Sequence, residues 1–247
     1  MNMFTATSTS SISPSPFITS VEVGIVSSTP DLHYCYVTFD SSKYCNGLFD
    51  LLEIPFPVML ISSVFKRRSE YLAARYAAQC LLKTTGCRSN VGTSHNREPI
   101  WPLGFCGSLS HTDNKAIALL CSERSGLLPG VDIETFTSST MKDIENVFTT
   151  EEEQSILKFS NLSYELALMI VFSTKESLFK AIYPDVRKYF GFELAKVVSF
   201  DDKARKITLC LTKDLSRNQR KGKEFTGTYF FDENKVITML TDTRIVA

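Results

Sequence analysis

From Phe17 to Val26 and from His33 to Phe39, apolar residues alternate with polar ones or gather as β-branched and aromatic runs, which predicts two strands. A helical period takes over in SSVFKRRSEYLAARYAAQCLLKTTG, with Ser63 placed to cap its start and Gly86 to stop it. Residues 90–102, with Pro99 and Pro102, read as loop. GFCGSLSH reads as a small-residue loop leading into the strand KAIALLCSE, and GVDIETF reads as a further strand. Thr150 and Glu153 have capping-box spacing before QSILKF, and SYELALMIVFSTKESLFKAIY predicts a helix that runs until Pro184 breaks it. KVVSF, KITLCL, FTGTYFF and VITML predict strands joined by polar turns. Strands and helices thus recur in both halves, which predicts an α+β fold of two α/β lobes. Residues 17–126 form the expected N-terminal lobe and 127–247 the C-terminal one. Residues 1–16, rich in Ser and Thr, are expected to form a flexible tail with no signal-peptide character.

Composition narrows the function classes. The 247 residues carry 27 Lys plus Arg against 27 Asp plus Glu, so no global charge points to nucleic acid or to a membrane surface. No stretch has the length of a membrane span. Seven cysteines without a CxxC pair fit reduced thiols in a cytoplasm, and three scattered histidines do not make a zinc site.

Against that neutral background, three local constellations stand out. Asp132 and Glu134 are two apart in a predicted strand, so they project together between core positions Val131 and Ile133. Two like charges that close call for a neutraliser, and a divalent cation is the simplest; an acidic strand end in water is the plain alternative. On the wheel of the second long helix, Glu176 shares a face with Met169, Phe172, Phe179 and Tyr183, while Lys175 lies among Leu168, Val171, Leu178 and Ile182. The polar arc of that helix is mainly Ser173, Thr174 and Ser177, so Glu176 and Lys175 are expected in protein surroundings. Lys180 is spaced to pair with Glu176. Three carboxylates without nearby His or thiolate make an all-oxygen site suited to Mg²⁺, with Mn²⁺ also possible, holding a phosphate ester or anhydride. The third constellation is basic: Lys66, Arg67 and Arg68 open the first long helix, Arg75 lies about 80° round from Arg67, and GSLSH adds Ser110 and His111 as donors to a phosphate. A solvated basic cluster, partly balanced by Glu70, is the plain alternative there.

Taken together and in order, REPIWPLGFCGSLSH, GVDIE and FSTKESLFKAIYP resemble the 4'-phosphopantetheinyl transferases of the Sfp-type superfamily, in its siderophore-associated branch. The resemblance implies two similar lobes related by a pseudo-twofold axis with the active site between them. It implies Asp132, Glu134 and Glu176 as metal ligands on the pyrophosphate of coenzyme A, with Glu176, Lys180 and Lys175 as catalytic residues. Lys180 would also contact the phosphates, and Ser110, His111, Arg67 and Arg75 would lie at the nucleotide's 3'-phosphate. A basic residue that some relatives carry before the SxSH stretch is missing, with Thr93 near its place and Arg97 as a possible substitute. Phe172 replaces a common tryptophan, and Ile133 between the two acids cannot be a ligand. The implied reaction is Mg²⁺-dependent transfer of 4'-phosphopantetheine from coenzyme A to a serine of an apo-carrier protein, releasing adenosine 3',5'-bisphosphate. The serine proton could pass to Glu176 or to metal-bound water. A cytoplasmic monomer serving siderophore or nonribosomal peptide synthesis, with association with a synthetase complex as an alternative, is the expectation. The rivals are another Mg²⁺-dependent phosphate hydrolase and a noncatalytic binding module for coenzyme A or carrier proteins. The basic stretch 213–223 is expected to be a solvated turn, with contact to an acidic carrier as its alternative role.

Overall fold

A computed structural model describes residues 3–10, 15–137, 141–232 and 234–244. The chain divides into two compact units, Met1–Leu127 and Leu128–Ala247. The first contains β1 (Phe4–Ser10), β2 (Ile18–Val26), β3 (Thr29–Phe39), α1 (Leu48–Leu51), α2 (Phe65–Thr84), β4 (Gly92–Thr93), β5 (Pro99–Ile100), β6 (Phe105–Thr112) and β7 (Lys115–Ser122). Its main sheet has the order β1-β2-β3-β7-β6 with every neighbour antiparallel, and β4 pairs only with β5. The helix α2 packs on β7, β3 and β6 through a run of small residues, among them the fully buried Ala73, Ala77 and Ala78, which let the backbone lie close to the sheet.

Four expectations for this first unit need correction. Phe4–Ser10, expected in a flexible tail, is a strand paired with β2; its ladder is a backbone property that a Ser/Thr-rich sequence can supply without apolar alternation. Residues 1–2 and 11–14 of that tail lie outside the described residues. GFCGSLSH is not a loop but β6, closed onto β7 by a two-residue Asp113–Asn114 turn between the paired Thr112 and Lys115. Ser63 does not cap α2: Val64 occupies the cap position without a side-chain bond, and Arg68 reaches back to the carbonyls of Leu60 (3.0 Å) and Ile61 (2.6 Å) of the preceding turn. The proline-bearing loop of 90–102 contains the short β4–β5 ribbon.

The second unit contains β8 (Leu127–Thr135), α3 (Glu145–Phe148), α4 (Glu151–Leu157), α5 (Tyr164–Val186), β9 (Ala195–Asp201), β10 (Lys206–Leu211), β11 (Glu224–Asp232) and β12 (Lys235–Thr243), only the first residue of β8 falling on the other side of the division. The strand order is β8-β12-β11-β10-β9. Against this sheet lies α5, packed chiefly on β12. Both units are therefore mixed α+β, each with a five-stranded sheet and one long helix. Pro184 does not break α5, which continues to Val186 and closes with Arg187 at φ 52°. A proline in the last turn forfeits a single bond to the carbonyl four residues back, and packing of Val186 holds the turn. No helix among the described residues is long and apolar enough to cross a membrane, and no disulfide joins any of the seven cysteines.

The capping box is present in both halves: Thr150 Oγ1 accepts from the Glu153 N–H, and Glu153 Oε2 accepts from the Thr150 N–H at 2.8 Å. Thr150→Ala is expected to lower stability by about 1 kcal/mol, read as a lower denaturant midpoint at unchanged slope.

Candidate functional site

The polar arc of α5 determines how the acidic cluster is built. Ser173, Thr174 and Ser177 are fully buried rather than solvated; Ser173 and Ser177 meet β8 and β12, and Thr174 faces Gly227 of β11. Ser177 Oγ donates to the Thr238 carbonyl (3.0 Å), and the hydroxyls of Ser173 and Ser177 meet that of Thr238 at 2.9 and 2.8 Å. At Gly130 the approach is closest: a Cβ there would stand 1.8 Å from the Ser177 carbonyl oxygen. Small hydroxyl side chains and a glycine thus bring the helix backbone directly onto the strand that carries Asp132.

Asp132 is 3% exposed. Its Oδ2 accepts from Ser173 Oγ at 2.8 Å and its Oδ1 from Lys180 Nζ at 2.7 Å, while Lys180 also donates to the Val131 carbonyl at 3.0 Å. Glu176, one turn before Lys180, is half-buried; burial raises its carboxyl above the ordinary range, the Asp132 charge raises it further, and Lys180 pulls it back. Asp132 and Glu176 therefore feel one another across strand and helix. Glu134, also half-buried, is two residues from Asp132 on the same side of β8.

Among the described residues, no group of three His, Cys, Asp or Glu side chains is gathered closely enough to hold a metal ion. Instead an ammonium occupies one oxygen of Asp132. The donor chemistry still suits a hard cation: Asp132, bonded to Lys180, and Glu176, raised by burial and by Asp132, offer carboxylate oxygens, and Glu134 follows on the same side of β8.

Lys175, by contrast, is turned into the protein. Its Nζ lies 2.7 Å from Glu153 Oε1, both side chains 3% exposed, and it donates to the carbonyls of Phe148 (2.6 Å) and Phe192 (3.4 Å). Burial lowers its pKa, and Glu153 supports its charge. Lys175, expected as a catalytic group, thus has its donors directed at Glu153 and at two carbonyls, the Phe192 bond being part-buried, while it borders the cavity beside Glu176.

The basic constellation lies in the first unit. Arg67 Nη1 stands 2.8 Å from His111 Nε2, and His111 Nδ1 faces Glu70 Oε2 at 3.6 Å. A guanidinium can only donate, so Nε2 is the acceptor and the imidazole proton lies on Nδ1, toward the carboxylate. Burial raises the Glu70 carboxyl, opposed by Lys66 and Arg67. Arg75 is buried, donates to the Gly92 carbonyl (3.1 Å) and Thr93 Oγ1 (2.8 Å), and lies 4.5 Å over the Tyr71 ring. Its pKa is lowered by burial, with Arg67 adding repulsion, and its buried Nε has no hydrogen-bond partner among the described residues. Two mutually repelling guanidiniums with an unsatisfied donor are the makings of an anion site.

The rest of the basic opening of α2 is otherwise engaged: Lys66 pairs with Asp113 at 2.5 Å, and Arg68 holds backbone carbonyls. Ser110 and His111 are consecutive on β6, so their side chains leave opposite faces of the strand. Thr93 orients Arg75 rather than replacing a basic residue, and Arg97 is exposed at φ 70° between β4 and β5. Sequence reasoning missed Ser173, Thr238 and Glu153 as partners of the site, while Glu70, expected to balance part of the basic cluster, faces His111; the run of small hydroxyl residues on an otherwise apolar helix was the available signal for the first.

Comparison with known proteins gives these clusters a context. Residues 58–121 match the family model described as 4'-phosphopantetheinyl transferase N-terminal domain, and residues 129–237 match that of the 4'-phosphopantetheinyl transferase superfamily. The chain is 35% identical over 206 residues to enterobactin synthase component D of Salmonella typhimurium, covering 83% of this chain and 84% of that protein. It is 37% identical over 166 residues to the Salmonella typhi protein of the same name, covering 67% and 68%. A more distant relative is the 4'-phosphopantetheinyl transferase Npt of Nocardia iowensis, 29% identical over 140 residues, 56% of this chain and 62% of that one. The chain belongs to the 4'-phosphopantetheinyl transferase superfamily, in the branch that contains enterobactin synthase component D.

Proposed function

We propose that this protein transfers the 4'-phosphopantetheine group of coenzyme A to a serine of an apo-carrier protein of siderophore or other nonribosomal peptide synthesis, and releases adenosine 3',5'-bisphosphate. The observation that carries this reading is the juncture of Asp132, Lys180 and Glu176 on the blocks shared with the family, supported by the relatives named above. Arg67, His111 and Arg75 would bind the 3'-phosphate, with Ser110 beside them on β6. Asp132, Glu134 and Glu176 would hold Mg²⁺, whose charge, when bound, offsets that of the pyrophosphate. Mn²⁺ suits the same oxygen donors.

In the transfer step the serine hydroxyl oxygen bonds to the phosphopantetheine phosphorus, and the bond from that phosphorus to the oxygen bridging it to the nucleotide breaks. Glu176 is the proton acceptor: an acid whose ionisation is opposed by burial and by Asp132 is a stronger base than a solvated one. Lys180, within reach of Asp132, donates to the leaving phosphate as its charge grows. Incubation with coenzyme A, Mg²⁺ and a panel of apo-carriers tests the reading. Intact-mass spectrometry should show one added phosphopantetheine on a carrier serine; hydrolysis of coenzyme A without an acceptor, or Mg²⁺-independent binding alone, overturns it.

The acidic cluster also has a pH signature. The folded protein holds Glu176 protonated to higher pH than the unfolded chain does, so this group's contribution to stability is fully present below the unfolded pKa and is lost as pH rises through the folded one. Mg²⁺ favours the ionised carboxylate and should expel that proton. Mildly acidic calorimetric titrations in two buffers of different ionisation heat should therefore give different apparent heats, and Glu176→Gln should remove the difference.

A further inference from the structure

We infer that Glu153 is a positioning residue for the transfer, and that Lys175 serves Glu153 rather than the substrate. The inference rests on the functional reading above but on different residues. Glu153 joins three segments: Oε1 accepts from Lys175 of α5 and from the Val197 N–H of β9 (2.8 Å), while Oε2 caps α4 through the Thr150 N–H. Lys175 extends the junction to the Phe148 carbonyl at the end of α3 and the Phe192 carbonyl before β9. Phe148, Phe172 and Phe192 close over it, with ring centroids 5.4 to 6.2 Å apart.

This junction borders a small cavity through Lys175. Lys175, Glu176 and Phe179 line it from the helix, and Phe190, Gly191 and Phe192 line it from the following segment, so Lys175 borders the cavity while its Nζ is bonded to Glu153 and to the Phe148 and Phe192 carbonyls. Lys175 and Glu176 are adjacent in sequence, so the bond that fixes Lys175 also fixes the rotation of α5 at the residue proposed to take the proton. The opposite wall is held by the same two charges, through the Phe192 carbonyl and the Val197 N–H. A buried ion pair removed as a pair is tolerated far better than one stripped of a single partner, and that asymmetry separates positioning from direct contact with substrate.

Three variants make the test: Glu153→Gln, Lys175→Met, and the two combined. Each single substitution leaves a buried group unpaired and is expected to lower kcat roughly 20-fold with the KM for coenzyme A unchanged; the double variant is expected to recover to within about fivefold of the parent. A double variant as inactive as Lys175→Met would show that the amine itself contacts reacting groups, and single variants of full activity would show that the junction positions nothing; either overturns the inference. Amide exchange of residues 190–195 provides a readout independent of activity: it should quicken in each single variant and return to the parent rate in the double. Identical exchange in all four proteins also overturns the inference. A parent that modifies no carrier would overturn the functional reading alone, leaving the exchange comparison to decide on Glu153.

Discussion

Gly130→Ala is expected to destabilise the C-terminal unit by about 3 kcal/mol and to reduce transfer roughly 100-fold. The added methyl would stand 1.8 Å from the Ser177 carbonyl oxygen and 2.9 Å from the Ala181 backbone nitrogen. These are backbone atoms in the middle of a 23-residue helix, so no side-chain rotation relieves the overlap. Strand and helix must separate, and the separation falls between Asp132 on one element and Ser173, Glu176 and Lys180 on the other. Thermal unfolding and kcat measured on the same preparation check both halves of the expectation. A variant with the parent's melting temperature and rate would show that the helix does not need to rest on the strand.

Asp132→Asn is expected to lower kcat by about 10³-fold while leaving the protein folded. The amide keeps an oxygen that can accept from Ser173 or from Lys180, so the buried contacts are reduced rather than abolished. What disappears is the negative charge that would hold Mg²⁺ and the field that helps to raise Glu176. The carrier-modification assay across a range of Mg²⁺ concentrations, with circular dichroism as the check on folding, tests this. Parent-like turnover at limiting Mg²⁺ would remove Asp132 from the site.

Where local chemistry determines local structure, the sequence was readable. Thr150 and Glu153 announced the start of α4 through two reciprocal bonds that span only three residues. Alternation placed β2, β3 and the strands of the second unit, and two-residue spacing put Asp132 and Glu134 on one side of β8. β6 was obscured because its residues, Cys, Gly, Ser, Leu, Ser and His, carry turn propensity; the strand is dictated by the Asp113–Asn114 hairpin and by pairing with β7. The fate of Lys175 was unreadable for a different reason. Its partner Glu153 is 22 residues away in another helix, and no periodicity reports a contact between elements. The helical wheel correctly placed this lysine among apolar residues, but the identity of the group that compensates its charge is a tertiary fact. Likewise, the arc of Ser173, Thr174 and Ser177 is visible as polar in the sequence, whereas its complete burial, with Ser173 and Ser177 bonded to Thr238, follows only from the packing of α5 on the sheet.

The bond from Lys180 to Asp132 also bears on how the protein endures without a divalent ion. The ammonium of Lys180 already balances one oxygen of Asp132 within the protein, so on the proposed reading removal of Mg²⁺ leaves this carboxylate paired. Exposure to a chelator should silence such a protein without melting it, and returning the ion should restore it at once, with the lysine swinging aside to make room.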